Sequence, residues 1–159
     1  MIQYIKGDAT EPQGDGRKLI LHVVNSVGKW GAGFVLAVSK KWPDVEMEYR
    51  KWHGGAQAKE PFQLGNIQAV KAEKGIAVIN MIGQDGIKPK NGLPPIRYGA
   101  IDECLKKVAK IAKDHDASVH CPKFGAGLAG GEWYIIEAMI EKRLCEEGID
   151  VTVYEFEEN

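Results

Sequence analysis

The segment SVHCPKFGAGLAGGEW, at residues 118–133, decides which fold this sequence predicts. Residues 118–121 suit a short buried strand, and Pro122 ends it because proline cannot donate a hydrogen bond to a sheet. Before a helical pattern begins at Glu132 come four glycines, Gly125, Gly127, Gly130 and Gly131. A strand, a glycine-rich turn and a helix start can present backbone N–H groups to an anion, and the helix dipole adds partial positive charge.

A second glycine-rich stretch, NSVGKWGAGF at residues 25–34, follows the apolar run at residues 19–24. Both stretches contain Gly-Ala-Gly followed by a large apolar residue, at residues 31–34 and at residues 125–128. Glycine reaches positive φ at low cost and has no Cβ to hold a phosphate away, and we expect both properties at Gly127. One such loop is equally typical of a flexible turn without a ligand. The pair indicates two loops that grip neighbouring phosphates.

Helical and extended patterns alternate along most of the chain. The sequence predicts strands at residues 2–6, 19–24, 64–70, 76–82, 118–121 and 150–156. It predicts helices at residues 34–41, 43–52, 101–112 and 136–144. The fold class is therefore α/β, a three-layer α/β/α domain with a central mixed, mostly parallel six-stranded sheet, over residues 1–159 as one domain. Ligands of such sheets gather at the carboxyl ends of the strands, where both glycine loops begin.

The composition is that of an ordinary globular protein. The 159 residues are 44% hydrophobic and 27% charged, with a net charge of −1. No global field attracts nucleic acid or a membrane, so direct nucleic-acid binding is not expected. The first residues lack a signal-peptide pattern, and no apolar run approaches the roughly 20 residues of a membrane span. The sequence therefore predicts a cytoplasmic protein without a membrane partner.

Cysteines and histidines show no metal-ligand spacing. Cys104, Cys121 and Cys145 lie in apolar periodic segments, which favours reduced core residues, and neither a metal nor a cofactor is expected. His22 and His120 fall inside predicted strands, which favours a core position for both. Lysines at residues 106, 107, 110 and 113 occupy the polar face of a predicted helix and are expected to be solvated. The sequence contains no G-x-x-x-x-G-K-[ST] motif, which argues against a P-loop ATPase or kinase.

Together these motifs resemble a macrodomain, the module that binds ADP-ribose. The resemblance covers nearly the whole chain and is carried by Gly7-Asp8-Ala9 after the first strand, Val24-Asn25 running into residues 31–34, and residues 122–133. Residues 151–154 also fit the family's last strand. The chain looks most like the yeast-type ADP-ribose 1″-phosphate phosphatases and the terminal ADP-ribose glycohydrolases. The resemblance implies a macrodomain-like sheet and, as partner, ADP-ribose or an ADP-ribosylated molecule.

The resemblance also implies a role for each matching residue. Asp8 would accept a hydrogen bond from the adenine amino group, and the Ala9 backbone would contact the ring. The alternative for Asp8 is a turn residue that bonds its own backbone. Apart from the resemblance, Asn25 is a candidate to hold a hydroxyl of the distal ribose, and Gln84, which does not match the family's lysine, is a candidate to orient a water or a ribose hydroxyl. The loops would hold the diphosphate and distal ribose through Gly31, Ala32, Gly33 and Phe34, and through Phe124, Gly125, Ala126, Gly127, Leu128 and Ala129.

Phe156 would pack near the adenine, the alternative being a core position.

Two departures from the family bear on activity. Glycohydrolase members use a lysine after the fourth strand and an aspartate in the second glycine loop, and these positions hold Gln84 and Ala129 here. Gln84 cannot form a Schiff base, and Ala129 cannot act as an acid or base. Asn25 and Gln84 remain as catalytic candidates, and no catalytic residue is assigned.

Three functions stay open. The first is a hydrolase that acts on a 1″-phosphate or an ester at the distal ribose. The second is a binding module for free or terminal ADP-ribose. The third and weakest is a domain for another nucleotide diphosphate. The missing lysine and aspartate favour binding over glycohydrolysis, but they leave phosphatase activity open.

Overall fold

The computed structural model describes residues 1–156. These residues form β1 (Ile2–Lys6), β2 (Lys18–Asn25), α1 (Phe34–Lys41), α2 (Pro43–His53), β3 (Ile67–Glu73), β4 (Ile76–Gln84), α3 (Tyr98–His115), β5 (Ser118–Cys121), α4 (Trp133–Arg143) and β6 (Val151–Glu155). A short 3-10 helix, Cys145–Glu147, follows α4. None of the helices in this part of the chain is both long and apolar enough to cross a membrane.

The six strands form one sheet in the order β1-β6-β5-β2-β4-β3. Neighbouring strands pair in parallel, except for the antiparallel pair β3 and β4. Because β1, β6, β5, β2 and β4 all run in the same direction, their carboxyl ends meet at one edge of the sheet. The predicted mixed, mostly parallel six-stranded α/β/α fold is confirmed.

Each face of the sheet is covered by a separate hydrophobic core. Alternate residues of a strand point to opposite faces, so Ile20 packs toward α1 and α2 while Leu21 packs toward α3 and α4. On the first face Ile20 contacts a cluster that includes Val38 and Tyr49, both fully buried. On the other face Leu21 belongs to the cluster of Leu105, also fully buried. This two-sided burial explains the nearly continuous apolar run of β2.

The segment before β3 differs from the prediction. The strand was expected from residue 64, but it begins at Ile67. Gly65 has φ 89, a left-handed conformation that does not continue a strand. Lys107 Nζ donates to Gly65 O at 2.8 Å and to Asn66 Oδ1 at 2.6 Å, so this lysine is half-buried rather than freely solvated.

The three cysteines are free, as the sequence predicts. Cys104 and Cys121 are buried, and Cys145 is half-buried. Burial raises the pKa of the Cys104 thiol to about 12 and raises the pKa of the Cys121 thiol as well. Thiols with raised pKa values are poor nucleophiles, so the cysteines serve packing.

Candidate functional site

A cleft of about 270 Å³ opens at the carboxyl ends of β2, β4 and β5. Its walls come from both glycine-rich loops, the first loop (residues 26–33) and the second loop (residues 122–132). Its lining residues are His22, Val23, Ala32, Gly33, Phe34, Val35, Gln84, Pro122, Lys123, Phe124, Gly125, Gly127, Leu128 and Ala129. The loops approach each other closely, since a Cβ added to Gly33 would lie 3.4 Å from Leu128 Cδ1. The fold therefore brings the two loops to one site.

Asn25 organises the first loop. Its Oδ1 accepts hydrogen bonds from Val27 N at 3.1 Å and Lys29 N at 3.0 Å, and its Nδ2 donates to Lys29 O at 2.8 Å. The Tyr49 hydroxyl donates to Asn25 O at 2.6 Å and lies 3.1 Å from Asn25 Oδ1. The Asn25 side chain is thus occupied in shaping the loop, and it does not line the cleft. Its predicted contact with a ribose hydroxyl stays a prediction.

The first loop ends in an uncapped helix start. Gly33 is the N-cap residue of α1 with φ 83, and no side chain caps this helix. Within residues 1–156, the backbone N–H groups of Ala32, Gly33 and Phe34 have no hydrogen-bond acceptor. The first N–H groups of a helix carry partial positive charge, so this wall of the cleft is suited to an anion. Gly31, by contrast, does not line the cleft.

The second loop depends on the conformations of its glycines. Gly125 has φ 78, and a Cβ there would lie 2.9 Å from both Ile136 Cδ1 and Ile96 Cδ1. Gly131 N donates to Gly125 O at 2.7 Å, and a Cβ on Gly131 would approach that oxygen to 2.5 Å. A side chain at either position would therefore displace the loop.

Gly127 differs from the prediction. We expected positive φ there, but Gly127 does not adopt it, and a Cβ would meet no atom within 4 Å. The reason is that the turn is made at Gly125 and Gly130, both with φ 78. Gly127 lines the cleft instead, so it contributes empty space rather than backbone shape.

The second loop also offers free donors. In the described part of the chain, the N–H groups of Gly127, Leu128 and Ala129 donate no hydrogen bond. Ala126 N lies 3.4 Å from Lys123 O, and Ala126 does not line the cleft. Successive backbone N–H groups around a concave surface form an anion site.

Lys123 is a lining residue that the sequence analysis missed. Its Nζ lies 3.9 Å from a Glu155 carboxylate oxygen and 5.9 Å from the centre of the Tyr4 ring. The side chain is 44% exposed, so it stays accessible to a ligand. Its position next to Phe124 in a glycine-rich loop was the available signal.

Gln84 and Ala129 occupy the cleft where the family's lysine and aspartate were expected. Gln84 Nε2 donates to Gly86 O at 3.1 Å, and Ala129 is 5% exposed. The described lining residues include no carboxylate, and His22, Gln84 and Lys123 are the polar side chains among them. The site is therefore rich in hydrogen-bond donors and poor in acid–base groups.

His22 combines burial with a place at the cleft. It is 1% exposed and lines the cleft, and its Nε2 lies 2.5 Å from Asn80 Oδ1. Its Nδ1 has no hydrogen-bond partner among the described residues. Burial lowers the pKa of His22 to about 4. His22 is therefore buried, as expected for a core residue. It differs from an ordinary core histidine because its Nδ1 is left as an open acceptor.

Asp8 and Ala9 lie at the far end of the same edge, after β1, and do not line the cleft. Asp8 Oδ1 accepts hydrogen bonds from Thr10 N at 2.8 Å and from Thr10 Oγ1 at 2.7 Å. One oxygen of the carboxylate therefore has the turn role that was the alternative to adenine binding. Asp8 Oδ2 has no partner within residues 1–156. Phe156, next to β6, is 69% exposed and is not a core residue. Whether Asp8 and Ala9 contact adenine stays a prediction.

The fold and the cleft define a class of protein, an α/β/α domain with a donor-lined cleft at the carboxyl edge of its sheet. A solved structure from Bacteroides thetaiotaomicron, described as a protein of unknown function, is 52% identical, with a TM-score of 0.93 and 97% of each chain covered. A macrodomain protein from Streptomyces coelicolor is 48% identical, with a TM-score of 0.86, covering 98% of this chain and 99% of that one. This chain belongs to the macrodomain family. No family model matches the sequence.

Curated relatives extend the comparison. Over 96% of its own length, this chain is 34% identical to chromodomain-helicase-DNA-binding protein 1-like of Danio rerio, but it spans only 15% of that protein. An ADP-ribose 1″-phosphate phosphatase of Lodderomyces elongisporus is 26% identical, with 96% of this chain and 97% of that protein covered. A DNA ADP-ribosyl glycohydrolase of Thermus aquaticus is 29% identical over 100% of this chain and 42% of that protein. The predicted family resemblance is confirmed.

Proposed function

We propose that this chain binds ADP-ribose, either free or as the terminal group of an ADP-ribosylated molecule. The observation that carries the proposal is the cleft between the two glycine loops, where unpaired N–H groups from both loops meet. A diphosphate carries the negative charge that such donors stabilise. The lack of a carboxylate among the described lining residues removes the main source of repulsion.

The order of the strands supports an extended ligand. Asp8 follows β1 and Gln84 ends β4, and four strand spacings separate them, about 19 Å at roughly 4.8 Å each. The diphosphate lies at the two loops, near the middle of this edge. The adenine lies toward Asp8 and Ala9, and the distal ribose lies toward Gln84. The exposed ring of Phe156 is available to the adenine.

The relatives support the same ligand. The phosphatase and the glycohydrolase named above are 26% and 29% identical to this chain, and both names contain an ADP-ribose group. The reactions in these names differ, whereas the ADP-ribose group is common to both. The comparison therefore supports binding more strongly than it supports one reaction.

Calorimetric titration with ADP-ribose, ADP and AMP tests the proposal. ADP-ribose should bind, and AMP should bind much more weakly because it lacks the second phosphate and the distal ribose. Equal affinity for ADP-ribose and AMP would show that the loops do not hold those groups, and an absence of ADP-ribose binding would overturn the proposal.

Substitution of Asp8 tests the orientation of the ligand. Asp8→Ala should weaken ADP-ribose binding by about 1–3 kcal/mol, the cost of an unpaired polar group. Because the change also removes the bonds to Thr10, Thr10→Val is the matched control. It retains the carboxylate and loses only the hydroxyl bond. An unchanged dissociation constant for folded Asp8→Ala would remove Asp8 from the site.

Hydrolysis of ADP-ribose 1″-phosphate is a second candidate function. The observation that favours it is the likeness to the Lodderomyces elongisporus phosphatase over 97% of that protein's length. Phosphate release from ADP-ribose 1″-phosphate measures it directly, with Gln84→Ala as the variant of a cleft residue. Phosphate release no faster than in buffer would leave binding as the function.

Release of ADP-ribose from glutamate-linked ADP-ribosylated protein is not expected. Gln84 provides no nucleophilic amine and Ala129 provides no acid, although both line the cleft. The double variant Gln84→Lys with Ala129→Asp is the matched comparison, since it supplies both groups on the same scaffold. Steady release by the unaltered protein would show that other residues carry this chemistry.

A further inference from the structure

A chain of hydrogen bonds fixes the protonation of His22. Gln68 Nε2 donates to the backbone oxygen of Glu48 at 3.0 Å, and a backbone carbonyl can only accept. Gln68 therefore turns its Oε1 toward Asn80, whose Nδ2 donates to it at 3.0 Å. Asn80 must then present Oδ1 to His22 Nε2, 2.5 Å away. His22 Nε2 consequently carries the proton, and Nδ1 carries a lone pair.

This lone pair has no partner in the protein. His22 Nδ1 is buried and forms no hydrogen bond within residues 1–156. Desolvation lowers the pKa of His22 to about 4, so the ring is neutral near pH 7 and Nδ1 remains an acceptor. A buried acceptor without a donor destabilises the protein, and buried polar groups are normally satisfied.

The neighbours of His22 restrict what can satisfy Nδ1. The ring packs edge-on against Trp30, with centroids 5.4 Å apart, and against Phe34, 5.7 Å apart. His22 also lines the cleft, together with Phe34 and Gln84. Because no described neighbour donates to Nδ1, the adjoining cleft is the route by which a donor would reach the His22 ring. A phosphate oxygen without a proton cannot donate and would meet the lone pair unfavourably, whereas a sugar hydroxyl can donate.

We propose that His22 Nδ1 accepts a hydrogen bond from a hydroxyl group of the terminal sugar of the bound ligand. His22 is then a specificity-determining residue, because it selects a ligand that offers a free hydroxyl at the inner end of the cleft. This inference rests on the proposed binding of ADP-ribose. It requires a small rearrangement around the His22 ring to admit the hydroxyl, since Nδ1 is buried in the free protein.

His120 shows what a purely structural buried histidine looks like in this fold. It is 2% exposed, its Nε2 lies 2.7 Å from Ser118 Oγ, and its Nδ1 lies 2.7 Å from the Tyr154 hydroxyl. Burial also lowers its pKa to about 4. The two histidines therefore share burial and charge state, and they differ in one unsatisfied nitrogen. His120 is the internal control for His22.

Nitrogen NMR of the histidine side chains tests the inference on the unaltered protein. Long-range ¹H–¹⁵N spectra are recorded for the free protein and for protein saturated with ADP-ribose or with ADP, as judged by calorimetry. ADP-ribose should move the His22 Nδ1 resonance upfield, as expected when a bare nitrogen gains a hydrogen bond. His22 Nε2 and both His120 nitrogens should move little. ADP, which lacks the terminal sugar, should leave His22 Nδ1 unchanged.

The outcomes separate this inference from the proposed function. If ADP-ribose saturates the protein but His22 Nδ1 does not move, the inference is wrong and the proposed function stands. If ADP moves His22 Nδ1 as far as ADP-ribose does, the donor is not the terminal sugar and the inference is again wrong. If ADP-ribose does not bind, both are wrong.

Substitution gives an independent readout. His22→Phe retains the aromatic packing and removes the acceptor, so ADP-ribose should bind about tenfold more weakly or worse while ADP affinity changes little. The matched variant His120→Phe should change neither affinity, although it also loses buried hydrogen bonds. An equal loss of ADP and ADP-ribose affinity in His22→Phe would indicate a structural role only. If His22→Phe does not fold, the NMR result decides.

Discussion

The two strand–loop–helix units that form the cleft share a sequence signature and differ in how they are built. Both contain Gly-Ala-Gly, but the glycine with positive φ is the second in the first loop, Gly33 with φ 83, and the first in the second loop, Gly125 with φ 78. The remaining glycines of the two motifs, Gly31 and Gly127, adopt no positive φ, and a Cβ on either would meet no atom within 4 Å.

The loops also differ in what holds them. The first loop is organised by one side chain, Asn25, which bonds the backbone of residues 27 and 29. The second loop is organised by its backbone, packed so closely that a Cβ at Gly125 or Gly131 would collide with its surroundings. Two similar donor-lined walls therefore arise from different causes, and matched substitutions should affect them differently.

The largest expected effect concerns the two strands that lead into the loops. It is a loss of unfolding free energy as the pH falls. Burial lowers the pKa of His22 in β2 and of His120 in β5 from 6.5 to about 4. Between these values the unfolded chain binds more protons than the folded one. Their stabilising contribution is therefore full above pH 6.5 and lost as the pH falls toward 4, at about 1.4 kcal/mol per pH unit for each histidine.

Urea unfolding at several pH values between 7.5 and 5 measures this loss. The variant His120→Gln should remove about half of the slope, because it leaves His22 as the single buried histidine of the pair. A free energy of unfolding that does not change between pH 6.5 and 5 would show that these histidines are not desolvated as the structure indicates.

Gly125→Val should give the next largest effect. Valine at φ 78 adds strain of about 1–3 kcal/mol, and the contacts at 2.9 Å with Ile96 and Ile136 add overpacking of about the same size. Chemical denaturation should therefore show a loss of about 4 kcal/mol. Gly31→Val, at the same place in the first motif, is the control and should change stability by about 0.5 kcal/mol or less. Equal losses in the two variants would refute the difference between the loops.

Asn25→Ala tests the side chain that shapes the first loop. The change leaves the N–H groups of Val27 and Lys29 without their acceptor, which should lower the free energy of unfolding by about 2–3 kcal/mol. Tyr49→Phe removes only the hydroxyl that bonds Asn25 and should cost about 1 kcal/mol. Hydrogen exchange should show faster opening of residues 26–33 in Asn25→Ala than in Tyr49→Phe. Equal exchange would place the organising contact elsewhere.

The fold was predictable because its signals are local. The first glycine loop precedes α1, and Pro122 ends β5. The structure places both elements at the predicted residues. The predicted start of β3 was wrong because Gly65 adopts a left-handed conformation. Its carbonyl oxygen accepts a hydrogen bond from Lys107, which lies far away in sequence.

The site was predictable in place but not in detail. The sequence could not predict which glycine of each Gly-Ala-Gly motif adopts positive φ, nor that His22 Nδ1 has no partner. Both depend on packing partners far away in sequence. The state of His22, for example, is set through Asn80 and Gln68 by a backbone carbonyl at Glu48.

Gly127→Val should have the smallest effect on stability and a clear effect on binding. No atom lies within 4 Å of the added Cβ, and the φ of Gly127 is not positive, so stability should change by about 0.5 kcal/mol or less. The side chain would occupy the cleft beside the free N–H groups of the second loop, so ADP-ribose affinity should fall tenfold or more, at least about 1.4 kcal/mol. Gly33→Val, at the same place in the first motif, should lose both stability and binding because Gly33 has φ 83 and lies close to Leu128. Calorimetry and denaturation on the same preparations compare the two variants. Normal ADP-ribose binding by folded Gly127→Val would show that the second loop does not hold the diphosphate.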